Sequence, residues 1–142
     1  MTTVVDSNVI VALWDGHDVL NRAAQKALDD ALERGSLVAP GPIYADLMAL
    51  PGRTESFLDT FFQNTGIVVD WSFPEHVWRL AGRAFQAYVS RRRKQREPGS
   101  GPRRILADFL IGAYAAHHSY RLLTLDEGLY RAAFPELRIL RF

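Results

Sequence analysis

Four aspartates stand where carboxylates are hard to justify. Asp6 is the only charged residue between Met1 and Trp14, Asp46 the only one from Pro40 to Gly52, and Asp108 the only one between Ile105 and Tyr120. An ionised carboxylate buried without a partner costs several kcal/mol or takes up a proton, so acids inside apolar segments need a physical reason. Asp126, just beyond the expected strand Arg121 to Thr124, is the fourth. Each has a local alternative: Asp6 as a helix cap, Asp46 as an acid tolerated by the dipole of an early helical turn, Asp126 as a turn residue. Asp108 is the hardest to dismiss, because Ile105 to Ala116 is apolar around most of a helix, and Ile111, Gly112 and Ala115 share its stripe. If the four meet they repel one another, and neither lysine, Lys26 or Lys94, is placed to neutralise them. A divalent cation is the remedy. Oxygen-only ligands favour Mg²⁺ or Mn²⁺, and such a site suits phosphodiester hydrolysis.

The elements that must position these acids are legible in outline. Thr2 to Val5 reads as a strand feeding a helix from Ser7 or Asn8 through Trp14. Asp18 reads as the cap of a second helix that Gly35 stops near Arg34, and Leu37 to Ala39 reads as the second strand. Pro42 opens a helix with Ile43, Leu47 and Leu50 on one stripe, ended by Pro51 and Gly52. A helix from about Thr54 to Gln63 precedes a third strand, Ile67 to Val69. Pro74 begins a long amphipathic helix to about Arg93, and Glu97 to Pro102 is a break. A very apolar helix, about Arg104 to His118, is followed by a strand, a short helix from Glu127 to Phe134 and a last strand, Leu137 to Leu140. Strands separated by helices imply an α/β fold with a mainly parallel sheet covered on both faces. In such a sheet the Asp6 and Asp126 positions after strands, and the Asp46 and Asp108 positions near helix starts, converge at the carboxyl edge.

The chain of 142 residues is 48% hydrophobic, which fits a single domain, residues 1–142, with a sizeable core. It has no cysteine, which removes disulfides, Cys-ligated zinc, iron–sulfur clusters and thiol nucleophiles together. No apolar run approaches the roughly 20 residues of a membrane span, and the N-terminus lacks a basic start, so a soluble cytoplasmic protein is expected. The net charge of +1 hides an asymmetry: Arg91 to Arg104 carries seven basic residues and one acid, leaving the remainder acidic.

The segments Val4-Val-Asp-Ser-Asn-Val-Ile10, Pro42-Ile-Tyr-Ala-Asp46, Arg104-Ile-Leu-Ala-Asp-Phe-Leu-Ile-Gly-Ala113 and Leu122-Leu-Thr-Leu-Asp126 resemble, in order and spacing, the PIN-domain ribonucleases, most closely the VapC-type toxins of toxin–antitoxin pairs. The likeness spans essentially the whole chain. It implies a PIN-like fold and Mg²⁺- or Mn²⁺-dependent endonuclease action on RNA, with a cognate antitoxin and a homodimer as partners and no membrane association. Asp6, Asp46, Asp108 and Asp126 fall on the family's acidic positions, with Asp6, Asp108 and Asp126 as metal ligands. Asn8 falls on the polar residue that helps orient the first carboxylate, and Thr124 on the hydroxyl beside the last acid. The second acid is usually Glu in this family; Asp46 is one methylene shorter, which puts its direct ligation in question, and Glu127 competes with Asp126 for the site.

Arg91, Arg92, Arg93, Lys94, Arg96, Arg103 and Arg104 form a candidate RNA-binding segment. The alternatives are the solvated end of a helix, where cations favour the dipole, and a dock for an acidic partner. Adjacent His117 and His118 point about 100° apart and cannot share one metal, and Ser7 lacks a histidine partner. Phe57, Phe61 and Phe62 share a stripe that suits an interface. Two other functions compete. A haloacid-dehalogenase-type phosphatase wants an acid where Asn8 stands and a downstream lysine. A non-catalytic nucleic-acid-binding module would use the basic segment alone.

Overall fold

A computed structural model describes residues 1–94 and 105–142. In chain order the elements are β1 (Thr2–Val5), α1 (Ser7–Trp14), α2 (Asn21–Arg34), β2 (Ser36–Pro40), α3 (Gly41–Leu47), α4 (Glu55–Thr65), β3 (Val68–Asp70), α5 (Glu75–Lys94), α6 (Leu106–His118), β4 (Arg121–Leu123), α7 (Glu127–Ala133) and β5 (Ile139–Leu140). The five strands form one sheet in the order β3-β2-β1-β4-β5, and every pairing is parallel.

Strand β1 lies in the middle. Thr3, Val4 and Val5 are each fully buried although successive strand residues face opposite sides, so both faces of the sheet are covered. Register places Thr3 beside both Leu37 and Arg121, and Val5 beside Leu123. This brings the residues that follow β1 and β4 together at the carboxyl edge. The Asp6 N–H donates to Leu123 O at 3.0 Å, which extends the β1–β4 ladder to the first aspartate.

Helix α6 is the apolar pillar on one face: Phe109 through Ala115 are buried without interruption. Gly112 permits this, because an added Cβ would stand 2.3 Å from a ring carbon of Phe134. At the other end of the sheet Gly35 fits against the start of β1, where a Cβ would overlap Met1 O. Helix α4 starts at Thr54, whose hydroxyl accepts from Phe57 N at 3.1 Å, a Thr N-cap. The Phe57–Phe61–Phe62 stripe is largely spent inside the fold. Phe62 is core, and Trp14 of α1 packs edge-on against Phe57 and Phe61 with ring centroids 5.4 and 5.1 Å apart. The Arg53 guanidinium covers the Trp14 and Phe57 rings at 4.5 and 4.4 Å.

Several expected boundaries differ, among them the last strand, which is Ile139–Leu140 and not Leu137 to Leu140. Helix α3 stops at Leu47 instead of continuing to Leu50; Leu50 N bonds Leu47 O three residues back, a turn that keeps the apolar spacing without the α ladder. Asp46 therefore lies in the last turn of its helix, not near the start, and the stabilising dipole of an early turn is not available to it. Strand β3 is shifted by one residue, because Ile67 packs into the core while Val68 to Asp70 pair with β2. Helix α2 begins at Asn21, with Asp18 upstream accepting from Leu20 N at 2.7 Å in the turn that leads into it.

Candidate acidic site

Asp6 follows β1 and caps α1, so the cap reading and the site reading apply to one residue. Its backbone is extended, and Oδ1 accepts from Ser7 N at 2.8 Å. Oδ2 accepts from Thr124 Oγ1 at 2.8 Å and from the Tyr130 hydroxyl at 3.2 Å. The residue is only 5% exposed. Burial pushes the Asp6 carboxyl above the ordinary carboxylate range; the donors from Thr124, Ser7 and Tyr130 pull it back, and the neighbouring charge of Asp108 adds to the rise. Desolvation outweighs three hydrogen bonds, so this is a strained carboxylate held in a fixed direction.

Thr124, buried just past β4, is the hub of the site. Besides donating to Asp6 it accepts from Asp126 N at 3.0 Å and from Asn8 Nδ2 at 3.4 Å. Asn8 Oδ1 in turn accepts from Leu125 N at 3.1 Å. Asn8 thus acts on Asp6 through Thr124, by stapling the first turn of α1 to the loop after β4.

The other acids are arranged around this core. Asp108, in the first turn of α6 and half-buried, accepts from Ile105 N at 3.4 Å. Asp6, Asp108 and Asp126 all raise the Tyr130 hydroxyl electrostatically, after burial as the first cause, so each lies near enough for its charge to be felt there. Asp46 connects differently: its Oδ2 accepts from Ser7 Oγ at 3.2 Å, so Ser7 bridges Asp6 and Asp46, donating through its N–H to one and its hydroxyl to the other. Glu127 is turned to basic neighbours, pairing with Arg131 and, at 3.3 Å, with Arg141.

Sequence reasoning misses two of these residues. Tyr130 lies four residues after Asp126, which immediately precedes α7, and it sits in the first turns of that helix. Ser7 attracts notice in the sequence only as a nucleophile, whereas its role is to carry hydrogen bonds between two carboxylates.

Among the described residues no three Asp, Glu or His side chains are gathered closely enough to hold a metal ion between them. The donors present are carboxylate oxygens, and a hard cation such as Mg²⁺ accepts one or two carboxylates, with waters and substrate phosphate completing its shell. Asp6 also has a direct reason to take a cation: its burial penalises its charge, and the Ser7, Thr124 and Tyr130 groups that bond it are neutral donors. The donor set therefore fits the ion in kind, without a ready-made cage of three carboxylates.

Of the basic segment, Arg91, Arg92, Arg93 and Lys94 form the last turn of α5. Arg92 Nη1 lies 3.3 Å from the Tyr88 hydroxyl and the other three are exposed. Arg96, Arg103 and Arg104 lie outside the described residues.

The model of the PIN domain family matches residues 3–135. The chain belongs to the PIN domain family. The sequence expectation of a PIN-like α/β fold is borne out, with a sheet that is parallel throughout. Comparison with curated proteins gives no significant match. Among solved structures this PIN domain is similar to VapBC2 from Rickettsia felis bound to a DNA fragment from its promoter, with TM-score 0.67 and 16% identity over 100% of this chain and 99% of that one. It is similar as well to VapBC-1 from nontypeable Haemophilus influenzae, at TM-score 0.65 and 15% identity over 99% and 98% of the two chains. FitAcB from Neisseria gonorrhoeae gives 0.63 and 21% over 97% and 96%. At these identities the likeness is one of fold, and it extends from end to end in both chains.

Proposed function

We propose that this PIN domain is a metal-dependent endoribonuclease that acts in the cytoplasm as the toxin of a toxin–antitoxin pair, a single domain that dimerises and is held inactive by a cognate antitoxin. The observation that carries the reading is Asp6: a buried carboxylate kept in one orientation by Ser7, Thr124 and Tyr130, with Asp108 close enough to raise its pKa. A merely structural cap has no need of that burial. Asp6 and Asp108 are the proposed ligands of Mg²⁺ or Mn²⁺, with Asp126 completing the acidic surround and Asp46 joined through Ser7. The bound cation would supply Lewis acidity at the scissile phosphate and lower the pKa of water in the site.

The chain's own residues do the rest. Thr124 and Tyr130 fix the direction of the Asp6 lone pairs, Asn8 locks the loop bearing Thr124, and Asp126 is positioned by its N–H on Thr124. An acidic site alone repels RNA, so phosphate binding falls to Arg91, Arg92, Arg93 and Lys94, with Arg96, Arg103 and Arg104 beyond them. The similarity to VapBC and FitAcB structures supports the toxin–antitoxin setting.

The test is cleavage of a labelled RNA by the purified chain with Mg²⁺ or Mn²⁺, with a chelator, and with Asp6→Asn. Cleavage that requires the cation and falls about a hundredfold or more in the variant, the scale of a lost electrostatic group, supports the reading. Binding of RNA without cutting under every condition would make the chain a nucleic-acid-binding module instead.

A further inference from the structure

A pocket of about 450 Å³ lies between α2 and the β4–β5 side of the sheet, and none of the acidic-site side chains lines it. Its wall on α2 is formed by Ala23, Ala27 and Ala31 at successive turns, small side chains that leave room above Leu123, Leu140 and Phe142. Four cations, Lys26, Arg34, Arg121 and Arg141, and one acid, Asp30, line it. Lys26 is paired with Asp30 at 2.9 Å and Arg141 with Glu127 at 3.3 Å. Arg34 and Arg121 have no carboxylate at ion-pair distance among the described residues.

Arg121 is the unusual member. It is 7% exposed, at the opposite end of β4 from Thr124, and its Nη2 donates to Thr3 Oγ1 at 3.4 Å. Its Nε is buried with no hydrogen-bond partner. A buried guanidinium with an orphaned donor is costly to maintain and is rare in a finished fold. The same side chain lines the cavity, so a carboxylate entering there meets a guanidinium that no acid among the described residues neutralises. A guanidinium presents a planar fork that matches a carboxylate. The alanine and leucine surroundings distinguish the pocket from a nucleic-acid surface, which needs charge and aromatic stacking platforms and gains nothing from aliphatic walls.

We propose that this pocket binds an acidic peptide segment of a partner protein, with a carboxylate side chain on Arg121 and Arg34 and a neighbouring apolar side chain over Leu140 and Phe142. The site is separate from the nuclease reading and stands or falls without it. The probe is a fluorescein-labelled peptide of alternating glutamate and leucine, followed by anisotropy on the full chain, with its glutamine–leucine counterpart and an oligouridylate as comparisons. The glutamate peptide should bind, raise Tm as ligands of the native state do, and outbind the glutamine peptide. Its affinity should fall by at least about tenfold in Arg121→Met, as expected on removing one side of a buried charge pair, and measurably in Arg34→Ala. Arg34 is exposed, so that variant keeps the test decisive if Arg121→Met fails to fold. Equal binding of both peptides, no binding of either, affinity unchanged in Arg34→Ala, or oligouridylate displacing the peptide from this pocket would overturn the proposal.

Discussion

At the scale of single residues, the chemistry turns on how Asp6 balances burial against its donors. Its raised pKa means that the folded chain holds the Asp6 proton more tightly than the unfolded chain does. The stability due to this group is therefore fully present below the unfolded value near 3.8 and is lost as pH rises through the higher native value. Asp6→Asn should stabilise the metal-free protein at neutral pH and flatten this decline, as read from urea midpoints between about pH 4 and pH 8. Destabilisation by that change at neutral pH would mean the hydrogen bonds outweigh desolvation. Tyr130→Phe removes a donor from the same carboxylate; it should cost about 1–3 kcal/mol and move the declining limb to higher pH. Asp6 stands out in the sequence because a lone acid in an apolar run is conspicuous. Tyr130 does not, because a tyrosine in an amphipathic helix is ordinary until its hydroxyl is seen to end on a carboxylate 124 residues away.

At the scale of elements, α6 and α7 set the geometry that single residues use. Gly112 lets the Phe134 ring lie against α6, and Phe134 N bonds Tyr130 O at 2.8 Å at the end of α7. Gly112→Ala should cost about 1–3 kcal/mol by overpacking. It should also lower RNA cleavage, because displacing Phe134 shifts the turn that carries Tyr130; full activity with reduced stability would uncouple the two. Most elements are legible because hydrophobic period and Gly or Pro punctuation agree along this chain. The failures have physical causes. Over a single turn, spacings of three and four residues look alike, so Leu50 reads as part of α3. Ile67 looks like any β-branched strand residue, yet its side chain is used in the core one position before pairing begins.

For the molecule as a whole, the strand order explains why segments far apart in sequence form one site. With β1 and β4 adjacent, Asp6 and Thr124 are neighbours although 118 residues separate them. That the acids lie toward one sheet edge is readable from strand–helix alternation; that Asp46 is joined to Asp6 through Ser7, and that Glu127 pairs with Arg131 and Arg141, is not, since both depend on side-chain directions. Charge is unevenly distributed as well, between an acidic body and a basic end to α5. Replacing Arg91, Arg92, Arg93 and Lys94 by Gln should weaken RNA binding and flatten its salt dependence by about 0.7 in log–log slope for each phosphate no longer neutralised; an unchanged slope would free the segment from that role. The central claim, that the acids at this edge serve a divalent cation, is tested most directly by calorimetric titration of Mn²⁺ into the wild-type chain and Asp6→Asn. Saturable binding to the wild type, abolished by Asp6→Asn, is the predicted result. Identical heats for both proteins, or no saturable binding to either, would contradict it.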